Sequence, residues 1–250
     1  MGPAPFVRRR SLSLMKRIGI VAALPSELRP LIHHWPRTAH MATGRIGSIE
    51  AVATCAGMGA KAVTRACEVL FASGPLDALV SVGYAGSLSC GLSAPEAVSA
   101  REVIDAATGE RFPTDQLPGQ PPNQIKAQRL VTLDHVAGPE EKLSLAESYQ
   151  AVMVDMEAAT VARFARSKNL GFLCYKGITD GPNDKLPDFN RFTGPNGQLR
   201  IPAFALWTLW HPQYWRILSE LEKNSRAAAA ELSSFVTRSL SEPPGQSAVK

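Results

Sequence analysis

The 250-residue sequence has few cysteines, no metal-ligand pattern and no long apolar run. Its four cysteines are scattered without a C-x-x-C pair, which favours a reducing compartment in which buried thiols act as small hydrophobes. The five histidines show no zinc-ligand spacing, so we expect no metal. No segment approaches the roughly 20 apolar residues of a membrane-spanning helix, and we expect no stable membrane insertion.

A strong excess of one charge is also missing from most of the chain. The net charge is +5, but residues 8–10 are three consecutive arginines, which leaves +2 for residues 11–250. No basic face with interleaved aromatic residues is visible, which argues against nucleic acid as a partner. With 45% hydrophobic and 20% charged residues, the composition is ordinary for a soluble protein with one large core.

The N-terminal stretch "RRRSLSLMKRIGIVAALPSE" imitates an export signal, with arginines ahead of an apolar run. The run at 18–24 is short, meets charged residues at once and lacks an A-x-A-like cleavage site. We therefore interpret it as a buried first strand and expect a cytoplasmic protein, with Met15 as a candidate natural start. Residues 1–15 and 241–250 are expected to be disordered, and residues 16–240 to form a single domain.

Strand-like runs alternate with helical patterns along the chain. The predicted strands are 17–23, 49–55, 76–82, 97–104, a run that begins at 129, 152–155 and 171–178, and the predicted helices are one that begins at 25, 61–72, 156–167 and 215–239. Residues 107–128 and 181–202 are predicted loops. This alternation predicts an α/β protein with three layers, αβα, and a mostly parallel, mixed central sheet.

Three predicted strands end in unusual turns: Gly57-Met58-Gly59, the run 83–87 and Thr179-Asp180-Gly181. Ligands of open α/β sheets bind outside the carboxyl ends of the strands, so we expect these turns to converge on one pocket. Glycine lets backbone N–H groups approach a ligand closely, although each turn taken alone is equally typical of a tight connection. None matches G-x-G-x-x-G, so no dinucleotide cofactor, nor any other cofactor, is expected.

Two carboxylates, Asp155 and Glu157, interrupt the apolar stretch "VMVDMEAATVARFA". A buried carboxylate without partners is costly, so both need hydrogen bonds or a ligand. Glu157 lies where a predicted strand becomes a helix, and a carboxylate there can accept hydrogen bonds from the vicinal hydroxyls of a ribose. The two acids could equally cap the helix. Their spacing leaves both interpretations open.

The segment "VDMEAATVA" resembles the V-E-M-E-A-x-x-V/I-A signature of the nucleoside phosphorylase and nucleosidase superfamily, especially methylthioadenosine/S-adenosylhomocysteine nucleosidases. Three further segments are similar to motifs of that family in the same order: "IGIVAALPSELRPL", which ends its motif on Glu27, "VSVGYAGSL", and "YKGITDGPND", which places the base-binding aspartate on Asp180. The resemblance covers about residues 16–180 and implies a phosphorylase/hydrolase-like fold.

The resemblance implies a role for each acid. Asp180 would be the general acid that protonates purine N7, which requires a carboxyl that holds its proton. Glu157, beside Met156, would bind the ribose hydroxyls, and Glu27 would orient or deprotonate the attacking water. The other substrate-contacting positions are Asp155, Tyr84, Ala85, Gly86, Val136 and Thr179. The resemblance also implies a homodimer.

Several features qualify this interpretation. Tyr84 replaces a small Ser or Thr of the family motif, Asp155 replaces a glutamate, and Val136 lies nearest to the expected position of the aromatic residue that stacks on the base. A carboxylate at position 27 repels phosphate and favours water as the nucleophile. A phosphorylase that uses Lys61 and Arg29 is the alternative, and a nucleoside-binding protein without catalysis is a third possibility.

The tail beyond residue 180 is longer and more aromatic than that of nucleosidases. It is similar to hopanoid-associated phosphorylases, which act on a lipid-linked adenosine. Phe204, Trp207, Trp210 and Trp215 would then line an apolar mouth, or they are core contacts of the C-terminal helices. The leading expectation is a purine nucleosidase that releases adenine from a 5′-modified adenosine.

Overall fold

Ten strands and six α-helices lie within residues 15–115, 128–187, 189–192 and 201–241, which the computed structural model describes. The strands are β1 (Arg17–Ala22), β2 (Ala42–Ile46), β3 (Ile49–Cys55), β4 (Ala78–Ser87), β5 (Ala97–Ser99), β6 (Glu102–Asp105), β7 (Arg111–Pro113), β8 (Arg129–Thr132), β9 (Met153–Asp155) and β10 (Gly171–Asp180). The helices are α1 (Pro25–Ile32), α2 (Ala60–Ala72), α3 (Pro139–Tyr149), α4 (Ala158–Ser167), α5 (Ile201–Leu209) and α6 (Trp215–Ser241).

The strands form one mixed sheet in the order β2-β3-β1-β4-β9-β8-β6-β7, and β10 joins it by pairing with β4 and β5. The central pairs β1–β3, β1–β4 and β4–β10 are parallel, whereas β2–β3, β4–β9, β6–β7 and β5–β10 are antiparallel. Strand β4 therefore borders β1, β9 and β10. The predicted α/β fold with a mixed central sheet is confirmed.

Helices cover both faces of the sheet. Ile18 and Ile20 of β1 pack in one core cluster with residues of α1 and α6, while Val21 packs in a second cluster with α2 and α4. This alternation follows from the two-residue period of a strand. Because both faces are covered, all ten residues of β10 are buried, including its charged ones.

Helix α3 packs on the sheet beside β8 and β9. Leu145 packs there with Val131 of β8 and Val154 of β9 in a third, smaller core cluster. Only Lys142 and Leu145 of this helix are buried, and the remainder of it is polar or exposed. The weak apolar periodicity of α3 explains why the sequence did not predict it.

The strands that carry the expected site extend further than predicted. β4 continues to Ser87, and β10 continues to Asp180, because the two pair in parallel along nearly their whole length. The expected turns after these strands are thus part of the sheet. The segment predicted as one strand at 97–104 is two strands, β5 and β6. Strand β2 and helix α5 were not predicted.

The described domain is slightly longer than expected at both ends. Met15 is buried in the core that contains Ile18, and α6 ends only at Ser241. Residues 1–14 and 242–250, which were expected to be disordered, lie outside the described residues. Strand β7 lies within the predicted loop 107–128, of which residues 116–127 also lie outside the described part. No helix among the described residues is long and apolar enough to cross a membrane.

Candidate active site

Glu27 lies in the first turn of α1 and is buried. Its Oε2 accepts a hydrogen bond from the Leu24 backbone N–H at 2.8 Å, and its Oε1 accepts one from the Tyr84 backbone N–H at 2.9 Å. The carboxyl therefore joins the start of α1 to the end of β4. Burial raises the pKa of Glu27 above its ordinary value, although the hydrogen bonds from Leu24 and Tyr84 partly oppose this shift.

Asp155 ends β9 and binds three groups of the protein. It accepts hydrogen bonds from Thr132 Oγ1 at 2.6 Å and from the Ala158 backbone N–H at 2.9 Å. Its Oδ2 also lies 2.7 Å from Nζ of Lys176, whose side chain is 2% exposed. Protein donors thus satisfy this carboxylate, and we assign Asp155 a positioning role rather than the substrate contact expected from the sequence.

Glu157 is the residue that precedes α4, and its carboxyl faces Glu27. Both acids line one narrow cavity, which as it stands has no room for a water molecule and which we call the acid cavity. Its lining residues are Val21, Ala22, Ala23, Glu27, Val63, Ser81, Val82, Gly83, Glu157, Val161 and Lys176. Burial and the nearby charge of Asp155 raise the pKa of Glu157 to about 8, although Lys176 opposes this shift. Glu157 is therefore mostly protonated at neutral pH in the absence of a ligand.

The glycine turn that follows β3 also reaches Glu157. Gly57 and Gly59 have φ values of +86° and +88°, which L-residues with a side chain rarely adopt. The Gly59 backbone N–H lies near enough to Glu157 to offset a small part of the rise in its pKa, and Gly59 directly precedes α2. The sequence predicted that this turn, the run 83–87 and residues 179–181 converge on one pocket; of these, Gly83 lines the acid cavity.

Asp180 lies at the end of β10, four residues beyond Lys176. Its Oδ2 accepts a hydrogen bond from Lys142 Nζ at 2.5 Å, and its Oδ1 accepts one from Thr179 Oγ1 at 2.7 Å. A Cβ added at Gly86 would lie 2.9 Å from Asp180 Oδ2, so β4 contacts this carboxyl closely. Strand β4 thus borders two of the predicted acids: Glu27 at its residues 83–84 and Asp180 at residue 86.

The remaining predicted site residues lie at the same end of the sheet. Ala85 is buried, and Tyr84 and Met156 are half-buried. The Tyr84 hydroxyl is buried and makes no hydrogen bond of normal geometry with the described residues, although Ser26 lies near enough to offset part of the rise in its pKa that burial causes. Val136 is half-buried in the loop that leads to α3.

The cations proposed for a phosphate site do not line the acid cavity. Arg29 and Lys61 are both exposed. Lys176 is the cation that lines the cavity among the described residues, and it is paired with Asp155. Within the same part of the chain, no three His, Cys, Asp or Glu side chains are grouped closely enough to hold a metal ion.

The four aromatic residues of the tail divide into two pairs. Phe204 and Trp207 each pack against Phe192, with ring centroids 5.4 Å apart. Trp210 and Trp215 are 79% and 53% exposed. Core contact therefore explains the first pair but not the second.

Two lysines of this region were missed in the sequence. Lys176 had a signal: it is a cation inside the otherwise apolar strand "GFLCYKGITD", where a buried charge demands a partner. No sequence feature marked Lys142 as a buried residue, because the helix α3 that carries it was not predicted. Lys176 pairs with Asp155 and Lys142 pairs with Asp180, and both acids were predicted site residues.

Comparison with known proteins agrees with these motifs. Residues 17–133 match the family model described as "Phosphorylase superfamily". No curated protein sequence is similar enough to count as a match. The matched residues include Glu27 and the whole of β4, but they end before Glu157 and Asp180.

Solved structures share the fold over most of the chain. The 5′-methylthioadenosine/S-adenosylhomocysteine nucleosidase of S. pneumoniae, solved with a transition-state inhibitor, is 20% identical with a TM-score of 0.66, and the match covers 90% of this chain and 98% of that one. The corresponding nucleosidase of Neisseria meningitidis is 15% identical with a TM-score of 0.65, covering 90% and 99%. Futalosine hydrolase of Helicobacter pylori is 14% identical with a TM-score of 0.63, covering 90% and 97%. Residues 17–133 are thus similar to the phosphorylase superfamily, and most of the chain shares the fold of these nucleoside hydrolases.

Proposed function

We propose that the protein is a purine nucleosidase, which hydrolyses the N-glycosidic bond of a 5′-modified adenosine and releases adenine. The observation that carries this proposal is that Glu27 and Glu157 line the same narrow cavity. A site that only bound a nucleoside would need a carboxyl for the ribose hydroxyls. It would have no use for a second buried carboxyl facing the first.

Each acid has a chemical task in this proposal. The ribose hydroxyls donate hydrogen bonds to Glu157, which favours its ionised form once substrate is bound. Glu27, whose pKa is raised by burial, accepts a proton from the attacking water near neutral pH. Asp180 delivers a proton to purine N7 as the electrons of the glycosidic bond move to the base, so the purine leaves as a neutral molecule.

The absence of an unpaired cation at the cavity, among the described residues, supports water rather than phosphate as the nucleophile. Two carboxyls line the acid cavity, and its cation, Lys176, is paired with Asp155. An attacking phosphate would need cations or hydroxyls that are free to bind it, and Arg29 and Lys61 are exposed elsewhere.

The test measures adenine release from 5′-methylthioadenosine, S-adenosylhomocysteine and adenosine, each with and without inorganic phosphate. We expect release that does not depend on phosphate, with free ribose or its 5′-modified form as the second product. A requirement for phosphate and formation of a ribose 1-phosphate would establish a phosphorylase instead. Binding without turnover would establish a nucleoside-binding protein.

The aromatic tail favours a second candidate substrate, a lipid-linked adenosine of the adenosylhopane type. Leu206, Leu209 and Trp210 of the α5 region are 60%, 66% and 79% exposed, and Trp215 follows at the start of α6. Large apolar side chains grouped on a surface mark a binding site for an apolar partner. This segment follows Asp180 in the chain, and Asn224 of α6 donates a hydrogen bond to the Thr179 carbonyl at 3.2 Å.

A matched pair of substrates tests this candidate. Adenosine with a long 5′-alkyl chain is compared with 5′-methylthioadenosine, both with wild-type protein and with the Leu206→Ser/Leu209→Ser variant. We expect the variant to raise KM about 10-fold or more for the alkyl substrate, because each lost aliphatic contact is worth roughly 1–2 kcal/mol. Equal changes with both substrates would exclude an apolar 5′ group.

A further inference from the structure

Lys142 is a buried cation on a helix that is otherwise largely exposed. Its side chain is 2% exposed, whereas the adjacent Leu143 is 63% exposed. Lysine is almost never fully buried unless it is paired. Its Nζ lies 2.5 Å from Asp180 Oδ2 and donates a hydrogen bond to the Gly181 carbonyl at 2.7 Å.

The surroundings of this pair hold the carboxyl in place. The side chains of Asp180 and Lys142 are 9% and 2% exposed, so both charged groups of the pair are buried. A Cβ at Gly86 would lie 2.9 Å from Asp180 Oδ2 and 3.3 Å from Lys142 Nζ, so β4 contacts both groups. Thr179 donates to the other oxygen, Oδ1. The torsions of the carboxyl are thus fixed from three sides.

We propose that Lys142 is a positioning residue for Asp180, which it orients toward the leaving base and whose negative charge it stabilises after proton transfer. This inference rests on the proposed function. The proton passes from the Asp180 carboxyl to purine N7, the glycosidic electron pair moves to the base, and Asp180 is left as a carboxylate. The ammonium of Lys142, at hydrogen-bond distance, stabilises that charge. Because the same ammonium stabilises the carboxylate between turnovers, Asp180 takes up a proton from solvent when the next purine binds beside it.

The alternative is that Lys142 only ties α3 to β10. A structural tie would affect every substrate equally, whereas a role through Asp180 would affect only substrates whose leaving group needs a proton. 5′-Methylthioadenosine needs one, because adenine is a poor leaving group as an anion. A 4-nitrophenyl riboside does not, since 4-nitrophenolate leaves without protonation.

The experiment measures steady-state kinetics of the full chain with both substrates for the wild type and for Lys142→Met, Lys142→Arg, Asp180→Asn and the double variant Lys142→Met/Asp180→Asn. We expect Lys142→Met to lower kcat for 5′-methylthioadenosine about 10- to 100-fold with little change in KM, because small displacements of a catalytic group have effects of this size. Activity on the 4-nitrophenyl riboside should change less than about threefold. Lys142→Arg, which keeps the charge, should recover at least part of the loss.

The double variant shows whether the two residues act as a unit. If they do, it is no slower than Asp180→Asn alone, because effects of coupled residues are not additive. It also leaves no unpaired buried charge, so it remains informative if Lys142→Met fails to fold. Lys16→Met, at an exposed lysine, is the matched control.

Two outcomes would overturn the inference in distinguishable ways. Equal losses on both substrates, or additive losses in the double variant, with an active wild type would overturn the role of Lys142 alone. A wild-type protein that is folded and inactive on both substrates would overturn the proposed function and this role with it.

Discussion

Glu27 Oε1 and the Tyr84 backbone N–H, 57 positions apart in sequence, form a 2.9 Å hydrogen bond. This bond holds the carboxyl of the first helical turn against the end of β4. A Cβ at Gly83, the preceding residue, would lie 3.0 Å from the same oxygen. The position of Glu27 in the acid cavity therefore depends on β4 as much as on its own helix.

Replacement of the proposed general acid should slow base release, and it should also lower stability because it leaves the buried Lys142 without its anionic partner. Asp180→Asn is expected to lower kcat for adenine release about 10²- to 10⁴-fold, the usual contribution of general acid catalysis. Steady-state kinetics with 5′-methylthioadenosine measures the effect. Asp134→Asn is the control, because the Asp134 side chain is 93% exposed. A fully active Asp180→Asn protein would remove the proposed role.

If Glu157 binds the ribose hydroxyls, its replacement should weaken the preference of the enzyme for a riboside over a 2′-deoxyriboside. The wild type should prefer a riboside to the 2′-deoxyriboside, and Glu157→Gln should reduce that preference about 10- to 100-fold, since a hydrogen bond to a charged group contributes roughly 1.5–3 kcal/mol. The ratio of kcat/KM for the two substrates reports this directly. An unchanged ratio in the variant would show that Glu157 does not contact the 2′-hydroxyl.

The raised pKa of Glu157 predicts how stability depends on pH. The carboxyl has an ordinary pKa of 4.5 when the chain is unfolded and about 8 in the folded protein. Between these values the folded state retains a proton that the unfolded state releases, so its contribution lowers the free energy of unfolding as pH rises through this window. Glu27 contributes in the same direction.

Glu157→Gln removes this dependence. The variant should match the wild type below about pH 4.5 and exceed its free energy of unfolding above pH 8, by on the order of 1–4 kcal/mol. Urea unfolding at pH 5 and pH 9 measures the difference. Glu140→Gln, at an exposed residue of α3, should show none. A variant with the same relative stability at both pH values would contradict the assigned shift.

A methyl group at Gly86 should displace the proposed acid. In Gly86→Ala the new Cβ would lie 2.9 Å from Asp180 Oδ2, closer than such contacts normally occur, so the carboxyl must move. We expect kcat to fall about 10- to 100-fold while the protein stays folded. Gly138→Ala is a matched control, because a Cβ there meets nothing within 4 Å. Wild-type activity in Gly86→Ala would show that the carboxyl tolerates displacement.

The sequence predicted the fold class and the neighbourhood of the acids because both depend on local patterns. Buried parallel strands are recognisable as apolar runs, and parallel strands end at one edge of the sheet. Glu27 lies in the helix that follows β1, and Glu157 lies between β9 and α4. Both are therefore close to strand ends, and their shared cavity was predictable. The roles assigned to these residues, the homodimer and the cytoplasmic location stay predictions.

The partners of the acids were not predictable, for a physical reason. Lys142 lies on a helix with one buried apolar residue, Leu145, and a lone lysine on a largely polar helix is indistinguishable from surface charge in sequence. Likewise Asp155 and Glu157 are two residues apart with similar chemistry. Only the structure distinguishes them: Asp155 is bound by Thr132 and Lys176, whereas Glu157 lines the acid cavity.

The acids and the aromatic tail belong to different parts of the architecture. Glu27, Glu157 and Asp180 are anchored at the margins of buried strands, whereas α5 and its exposed side chains belong to no strand pairing. Under the proposed function, substitutions in α5 would change the preferred 5′ group without altering the strand ends that hold the acids. The acids proposed to break the glycosidic bond, and the strands that hold them, would stay unchanged.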